Sequence, residues 1–241
     1  MARLARQVAM LVLSLVTTSS FAATPSLSDY LSNVRDLQAS VSVVSSNQDV
    51  LNSVNKDFAQ SYKLKNAQLM YKEPGMLRVQ GKRGFVSFVN ICNGDTKYWG
   101  VGPLHGSRNV KDSPSQKQTL QDFGLLTAAQ LADHNWRFVR EEKTSGGTLL
   151  VFELHYKNPN DKTRKLIWVD PAKKVMVKRQ LFAQWDGSLK LQYTYEDPQN
   201  VGGVWVPQRI RVFNKKLVLG AVSRVSGVKV NTGLSAEPFR V

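Results

Sequence analysis

From Asn66 onward the apolar pattern repeats every two residues in short runs broken by turn residues, and this restricts the chain to an antiparallel sheet. The first runs, at 66–72, 76–82, 85–92 and 96–101, are separated by Pro74-Gly75, Arg83-Gly84 and Asn93-Gly94-Asp95. Glycine supplies the positive φ that tight turns need, and proline and Asn/Asp fix their other corners. Later runs, at 136–142, 148–156, 163–169, 174–185, 189–196, 204–213, 216–222 and 224–230, are punctuated in the same way. The turns there are Gly146-Gly147, Asn158-Pro159-Asn160-Asp161, Asp170-Pro171, Asp186-Gly187 and Gly202-Gly203. Pro207 within 204–213 marks an edge position or a bulge, because it has no N–H for the ladder. Short strands at such even spacing indicate a barrel or a strongly curved sheet.

Helical periodicity is confined to three segments. In 25–35 the apolar residues are Leu27, Tyr30, Leu31 and Val34; in 48–64 they are Leu51, Val54, Phe58 and Tyr62. In 118–134 they are Leu120, Phe123, Leu126, Ala129 and Leu131. Spacings of three and four put each set on one helix face. The segment 37–44 reads as a strand, and the polar stretch 103–118 as a mobile loop. No internal repeat or long linker divides the chain, so one domain is expected over 23–241.

The first residues carry an export signal. Arg3 and Arg6 precede the apolar run 8–16, and Ser20-Phe21-Ala22 places small residues around a cleavage point. The run is about half of the ~20 residues that span a bilayer, so a cleaved leader over 1–22 is expected rather than a membrane helix. Ala23 follows where a lipid-anchored precursor carries cysteine, which predicts a soluble, unanchored periplasmic protein. The single cysteine, Cys92, forms no internal disulfide, so the fold rests on its core.

The formal net charge is +15, and removal of Arg3 and Arg6 leaves +13. Such a charge favours anionic partners, an anionic membrane surface among them, and it also serves plain solubility. Export and the scatter of basic residues among strands argue against nucleic acid. His105, His134 and His155 stand at no ligand spacing from one another, so no metal site is expected. There is no Gly-x-Ser-x-Gly elbow and no phosphate loop, and no catalytic residue or cofactor is expected. Cys92, beside the Asn93-Gly94 turn, reads as a buried structural thiol.

Several strands carry large apolar groups on both faces. Examples are Phe85, Val89 and Ile91 against Val86 and Phe88, and Leu150, Phe152 and Leu154 against Leu149 and Val151. An apolar cavity and ordinary two-sided burial both account for this. Trp99, Trp136, Trp168, Trp185 and Trp205 fit either a ligand site or the core.

The order and spacing of several short motifs carry a family resemblance. Tyr71-Lys-Glu-Pro74-Gly75 through Arg78-Val is followed by Asn93-Gly-Asp-Thr-Lys-Tyr98-Trp99. Then come Ile167-Trp168-Val-Asp170-Pro, Asp186-Gly187, Tyr193-Thr-Tyr-Glu-Asp, Gly203-Val-Trp205-Val-Pro207 and Val228-Lys-Val-Asn231-Thr-Gly. From about residue 27 to 241 the chain resembles the outer-membrane lipoprotein-sorting proteins, the LolA-like and LolB-like group. That resemblance implies a mainly β protein with some α structure. The fold would be an unclosed, strongly curved antiparallel β-barrel of about 11 strands, enclosing an apolar cavity covered by about three helices.

By the same resemblance, the function would be soluble carriage of lipoprotein or lipid acyl chains in that cavity across the envelope, toward the outer membrane. Inner- and outer-membrane transport proteins would be its partners. The expected cavity and lid residues are Leu69, Tyr71, Leu77, Val79, Phe88 and Trp99 on the first strands and Phe123 and Leu126 on the third helical segment. Phe152, Leu154, Trp168, Leu191 and Tyr193 on later strands complete the set. Face assignments depend on register, since a one-residue slip inverts a strand. Where the family's carrier has an arginine that tethers its lid, this chain has Glu73, and the nearest arginine is Arg78, a candidate lid or headgroup contact. Two other readings stay open. One is a sensor or interaction module of the same fold that signals to a membrane partner; the other is an envelope hydrolase, which requires titratable groups converging in a pocket.

Overall fold

The computed structural model describes residues 24–183 and 186–240. The expected leader at 1–22 and Trp185 lie outside the described residues. In chain order the first strands are β1 (Asp36–Ser46), β2 (Asn66–Lys72), β3 (Met76–Arg83), β4 (Val86–Asn93), β5 (Thr96–Val101) and β6 (Leu104–Asn109). There follow β7 (His134–Thr144), β8 (Gly147–Tyr156), β9 (Arg164–Asp170), β10 (Val175–Phe182) and β11 (Leu189–Glu196). The short pair β12 (Gln199–Val201) and β13 (Val204–Val206) precedes β14 (Arg209–Asn214) and β15 (Leu219–Val230).

Thirteen strands form one antiparallel sheet in the order β6-β5-β4-β3-β2-β1-β15-β14-β11-β10-β9-β8-β7, and β12 and β13 form a separate hairpin. Most neighbours are consecutive in sequence, as the closely spaced turns require. The exceptions are β11 with β14, which the β12–β13 hairpin separates in sequence, and the seam at the centre, where β1 pairs with β15 and Val41 faces Val225. This seam joins a near wing (β1 to β6) to a far wing (β7 to β11, β14 and β15). β6 and β7 are the sheet edges and do not pair with each other, so the barrel is unclosed. The expected run 204–213 is split at Pro207 into β13 and β14, and the runs at 216–222 and 224–230 are one strand.

The helices are shorter than their periodicity predicts, and local caps explain why. Over 48–64, Asn47 accepts hydrogen bonds from the N–H groups of Asp49 and Val50, and Asn55 accepts from those of Asp57 and Phe58. A second cap begins a second helix, so the segment divides into α1 (Gln48–Asn52) and α2 (Lys56–Ser61). Over 118–134, Thr119 and Thr127 each form a capping box, and Gly124 between them adopts φ +83°. The outcome is a single 3-10 turn at Leu120–Phe123 followed by α3 (Ala128–Ala132). The first helical segment is reduced to a 3-10 turn at Leu27–Tyr30. The polar stretch 103–118 is not simply a loop: its start pairs with β5 as β6, Trp99 facing Gly106.

Residues directly opposite in an antiparallel ladder point to the same face, so the register assigns every strand residue. Leu77 faces Tyr71, which faces Leu37; Val79 faces Leu69, which faces Ala39. In the far wing Phe152 faces Ile167, then Arg179, Tyr193 and Val212 in turn. These residues define the inner face, and the main hydrophobic core lies on it. Segment 110–133 leaves edge strand β6, crosses this face and enters the other edge strand, β7. Its Leu120, Phe123, Leu125, Leu126 and Leu131 pack into the same core. Full burial of side chains of this size stabilises by roughly 1.5–3 kcal/mol each, which makes the crossing segment a structural part of the core.

Candidate functional site

The crossing segment is fastened at both ends and in the middle. On the near wing Asn90 Nδ2 donates to Gln118 Oε1 at 2.9 Å, and Lys97 Nζ donates to the Gln116 carbonyl at 3.1 Å. The Tyr71 and Thr127 hydroxyls share a hydrogen bond of 3.3 Å. On the far wing Arg179 Nη2 bonds to Asp122 Oδ1, and Tyr195 Oη donates to the Gln121 carbonyl at 2.6 Å. Met176 N donates to the Gly124 carbonyl at 3.0 Å. A Cβ on Gly124 would lie 2.7 Å from Pro207 Cγ and 2.9 Å from Tyr195 Cγ, so only glycine permits so close an approach.

Beside this latch sits a buried lysine–histidine pair. Lys165 Nζ donates to Tyr156 Oη at 2.8 Å and to Gln121 Oε1 at 3.0 Å, and lies 3.0 Å from His134 Nε2. His134 Nδ1 is 2.7 Å from the Gln130 carbonyl, which can only accept. The proton is therefore on Nδ1, and Nε2 is free to accept from Lys165. Burial, followed by the nearby Arg179, lowers the Lys165 ammonium to about 7. Burial and the facing Lys165 lower the His134 imidazole to about 3. For Arg179, burial opposes the charge, but Tyr195, Asp122 and Tyr193 outweigh it and hold the guanidinium protonated. The guanidinium lies 4.5 Å over the Tyr193 ring. Burial, with Thr127 opposing, raises the Tyr71 phenol to about 12.

The thirteen expected lining residues separate into three groups. Leu69, Tyr71, Leu77, Phe123, Leu126, Phe152, Leu154, Leu191 and Tyr193 are packed core on or against the inner face. They touch the protein's own side chains where an open apolar cavity was expected, because the crossing segment occupies that volume. Val79, Phe88 and Trp99 share the inner face but lie toward edge strand β6, where cover is incomplete: Val79 and Phe88 are partly buried and Trp99 is 45% exposed. On the same face Leu104, opposite Val101, is 67% exposed. The Trp99 ring lies over the bare backbone of Gly106, where a Cβ would come within 2.7 Å of it.

Trp168 is the exception among the thirteen. It faces Val151 and Lys178, on the outer face. Its Nε1 donates to Glu142 Oε2 at 2.8 Å, and Lys178 Nζ lies 3.8 Å above its ring. The bulge between Met176 and Lys178 shifts the register beside it. Arg78 also lies on the outer face, opposite Met70 and Ile91. Its Nη1 donates to the Pro238 carbonyl at 2.6 Å and its Nε to Gln80. Arg78 thus clasps the C-terminal segment, whose Phe239 is fully buried, and makes no bond to the crossing segment. On the other wing, Arg179 does bond to the crossing segment, through Asp122.

Arg179, Lys165, His134 and Gln121 carry the polar part of the site. Lys165 had a signal in the sequence, since it shares the period-two parity of Ile167 and Val169. Arg179 had none, because the bulge in β10 destroys parity. Two open concavities lie elsewhere, about 350 Å³ beside Arg209, Arg211 and Arg224 and about 360 Å³ beside Lys173, Lys174 and Trp205. None of the expected residues lines either. Among the described residues no cluster of three His, Cys, Asp or Glu side chains is arranged to hold a metal. No helix among them is long and apolar enough to cross a membrane.

Comparison with known proteins agrees with this architecture. No curated protein matches the chain in sequence. A LolA superfamily protein from Nitrosomonas europaea superposes with a TM-score of 0.62 at 16% identity, covering 89% of this chain and 94% of the other. An outer membrane lipoprotein-sorting protein domain from Vibrio parahaemolyticus gives a TM-score of 0.57 at 12% identity, over 89% and 93% of the two chains. A DUF1329 family protein from Desulfovibrio piger gives 0.52 at 12% identity, over 89% and 92%. At these identities the likeness is one of fold. A family model described as "Uncharacterized protein" matches residues 115–241, more than half of the chain. The chain belongs to the family of that model, and its fold is LolA-like.

Proposed function

We propose that this protein is a soluble periplasmic carrier that holds the acyl chains of a lipoprotein or lipid against the inner face of its sheet. The observation that carries the reading is segment 110–133, which fills the inner face with apolar side chains and is held there by a small set of polar bonds. An acyl chain buried in its place regains ~0.8 kcal/mol per methylene, a gain that offsets loss of the segment's own packing. The exposed Trp99 and Leu104, with the partly buried Phe88 beside them, form the point of entry, contiguous with the core that the segment covers. The sorting role in the name of the similar Vibrio parahaemolyticus structure supports the same reading. Transport would then be uptake when the segment lifts and release to a receiver that buries the chains better.

Native mass spectrometry of gently purified protein, together with titration by a fluorescent fatty-acid probe, tests this. The expected result is a lipid adduct that the probe displaces. A chain that carries no lipid and binds no acyl probe sinks the proposal.

A further inference from the structure

The turn between β14 and β15 presents an apolar tip that the core does not explain. Lys215 and Lys216 are exposed and are followed by Leu217, Val218 and Leu219, whose exposures are 52%, 47% and 40%. The tip is held firmly. Asn214 Oδ1 accepts from the N–H groups of Lys216 and Val218 at 3.0 and 3.1 Å, and the Asn214 amide is anchored to Ser53 Oγ at 3.2 Å. The Leu217 N–H donates to the Asn214 carbonyl at 2.9 Å. Leu217 is thereby fixed at φ +59°, a conformation that suits glycine and strains a branched side chain. The turn thus holds a large apolar group outward against its backbone preference, and the group contacts no core. Strain kept at an exposed position points to use of that position.

We propose that this tip docks the protein on a bilayer bearing anionic headgroups. Leu217, Val218 and Leu219 would enter the interfacial layer while Lys215 and Lys216 meet the lipid phosphates. Charge complementarity selects this occupant: two adjacent lysines flank the apolar residues on a chain of net charge +15. The strand registers bring a second tip to the same end of the sheet, the β3–β4 turn, with Phe85 fully exposed after Lys82 and Arg83. Both tips thus lie at one end of the sheet. The proposal does not depend on the inner face holding acyl chains.

Flotation with phosphatidylcholine vesicles, with and without phosphatidylglycerol, tests it on the purified protein. Wild type and variants share the same N-terminus, so differences report the tip. Wild type is expected to float with the anionic vesicles. Leu217→Gly combined with Leu219→Ser should lower binding on the order of tenfold or more. Lys215→Gln with Lys216→Gln should lower binding to anionic vesicles only, and added salt should do the same. Leu217→Gly alone relieves the backbone strain, so its melting temperature should not fall, which separates lost docking from lost folding. Retained fatty-acid probe binding in these variants separates this proposal from the carrier reading. Absence of wild-type flotation, or equal flotation of wild type and the tip variants, overturns it. So does loss in the tip variants of binding to an envelope protein when wild type does not float.

Discussion

Arg179 of β10 and Asp122 of the crossing segment form an ion pair that binds the far wing of the sheet to the connection between its two edges. The guanidinium is almost fully buried, and its Nε finds no hydrogen-bond partner among the described residues. Asp122 Oδ2 also accepts from the Thr119 N–H at 2.9 Å, so one carboxylate both caps the 3-10 turn and latches it.

Replacing one member of such a pair strands the other. Arg179→Met is expected to lower stability by about 3 kcal/mol in urea denaturation. Adding Asp122→Asn should restore much of the loss, since the amide oxygen still caps Thr119 and no charge is left unpaired. In the single variant, hydrogen exchange should quicken over 118–127, and the fatty-acid probe should bind more tightly because the segment lifts more readily.

His134 gives the fold a dependence on acid. Its imidazole takes a proton near pH 3 in the folded chain and near 6.5 in the unfolded one. Between these values the unfolded state binds more protons, so stability falls as pH drops, by at most about 1.4 kcal/mol per unit. Lys165 acts on the alkaline side. Its ammonium is lost near 7 when folded and near 10.5 when unfolded, so stability rises with pH across that interval. Denaturation measured from pH 3 to 10 should show both slopes. His134→Gln should flatten the acid limb and Lys165→Met the alkaline one.

Gly124→Ala combines an unfavourable φ with contacts below 3 Å to Pro207 and Tyr195. A loss of about 2 kcal/mol or more is expected, read as a lower urea midpoint. The amide of Met176, which donates to the Gly124 carbonyl, should lose exchange protection at the same time.

Arg78→Ala should cost about 1.5–2 kcal/mol through loss of the charged bond to the Pro238 carbonyl. Proteolysis of the C-terminal residues should become faster. Fatty-acid probe binding should be unchanged, because Arg78 lies on the outer face; a weakened probe affinity would return it to the ligand side.

The antiparallel meander was legible in the sequence because strand period and turn chemistry are local properties. The short runs from 66–72 to 96–101 match β2 to β5 to within a residue or so. The side facing the core was also legible for residues such as Leu69, Leu77 and Tyr193, whose strands alternate. Arg179 was not, because the bulge in β10 moves the register by one residue; Trp168 was not, because β9 carries large apolar groups on both faces, Leu166 and Trp168 on one and Ile167 and Val169 on the other. The helices were overread: apolar spacing continued through Asn55 and Gly124, where side-chain caps and a left-handed residue end the turn. β6 was missed because its pairing with β5 is made by backbone groups under a polar sequence. The latch was illegible for a different reason, since Arg179 and Asp122 are far apart in the chain and only the crossing of segment 110–133 brings them together.

The seam between β1 and β15 also fixes when the protein can be completed. A chain made from its N-terminus exposes β1 with one neighbour, β2, and leaves its other edge open until nearly all the remaining residues have been synthesised. Such an edge is a template for wrong pairing with other chains. Each wing can form its hairpins from contacts close in sequence, but joining them must wait for β15, the last strand, and long-range pairing of this kind is slow. Assembly therefore ends in the middle of the sheet, and a newly made copy needs protection at that edge until its final strand arrives.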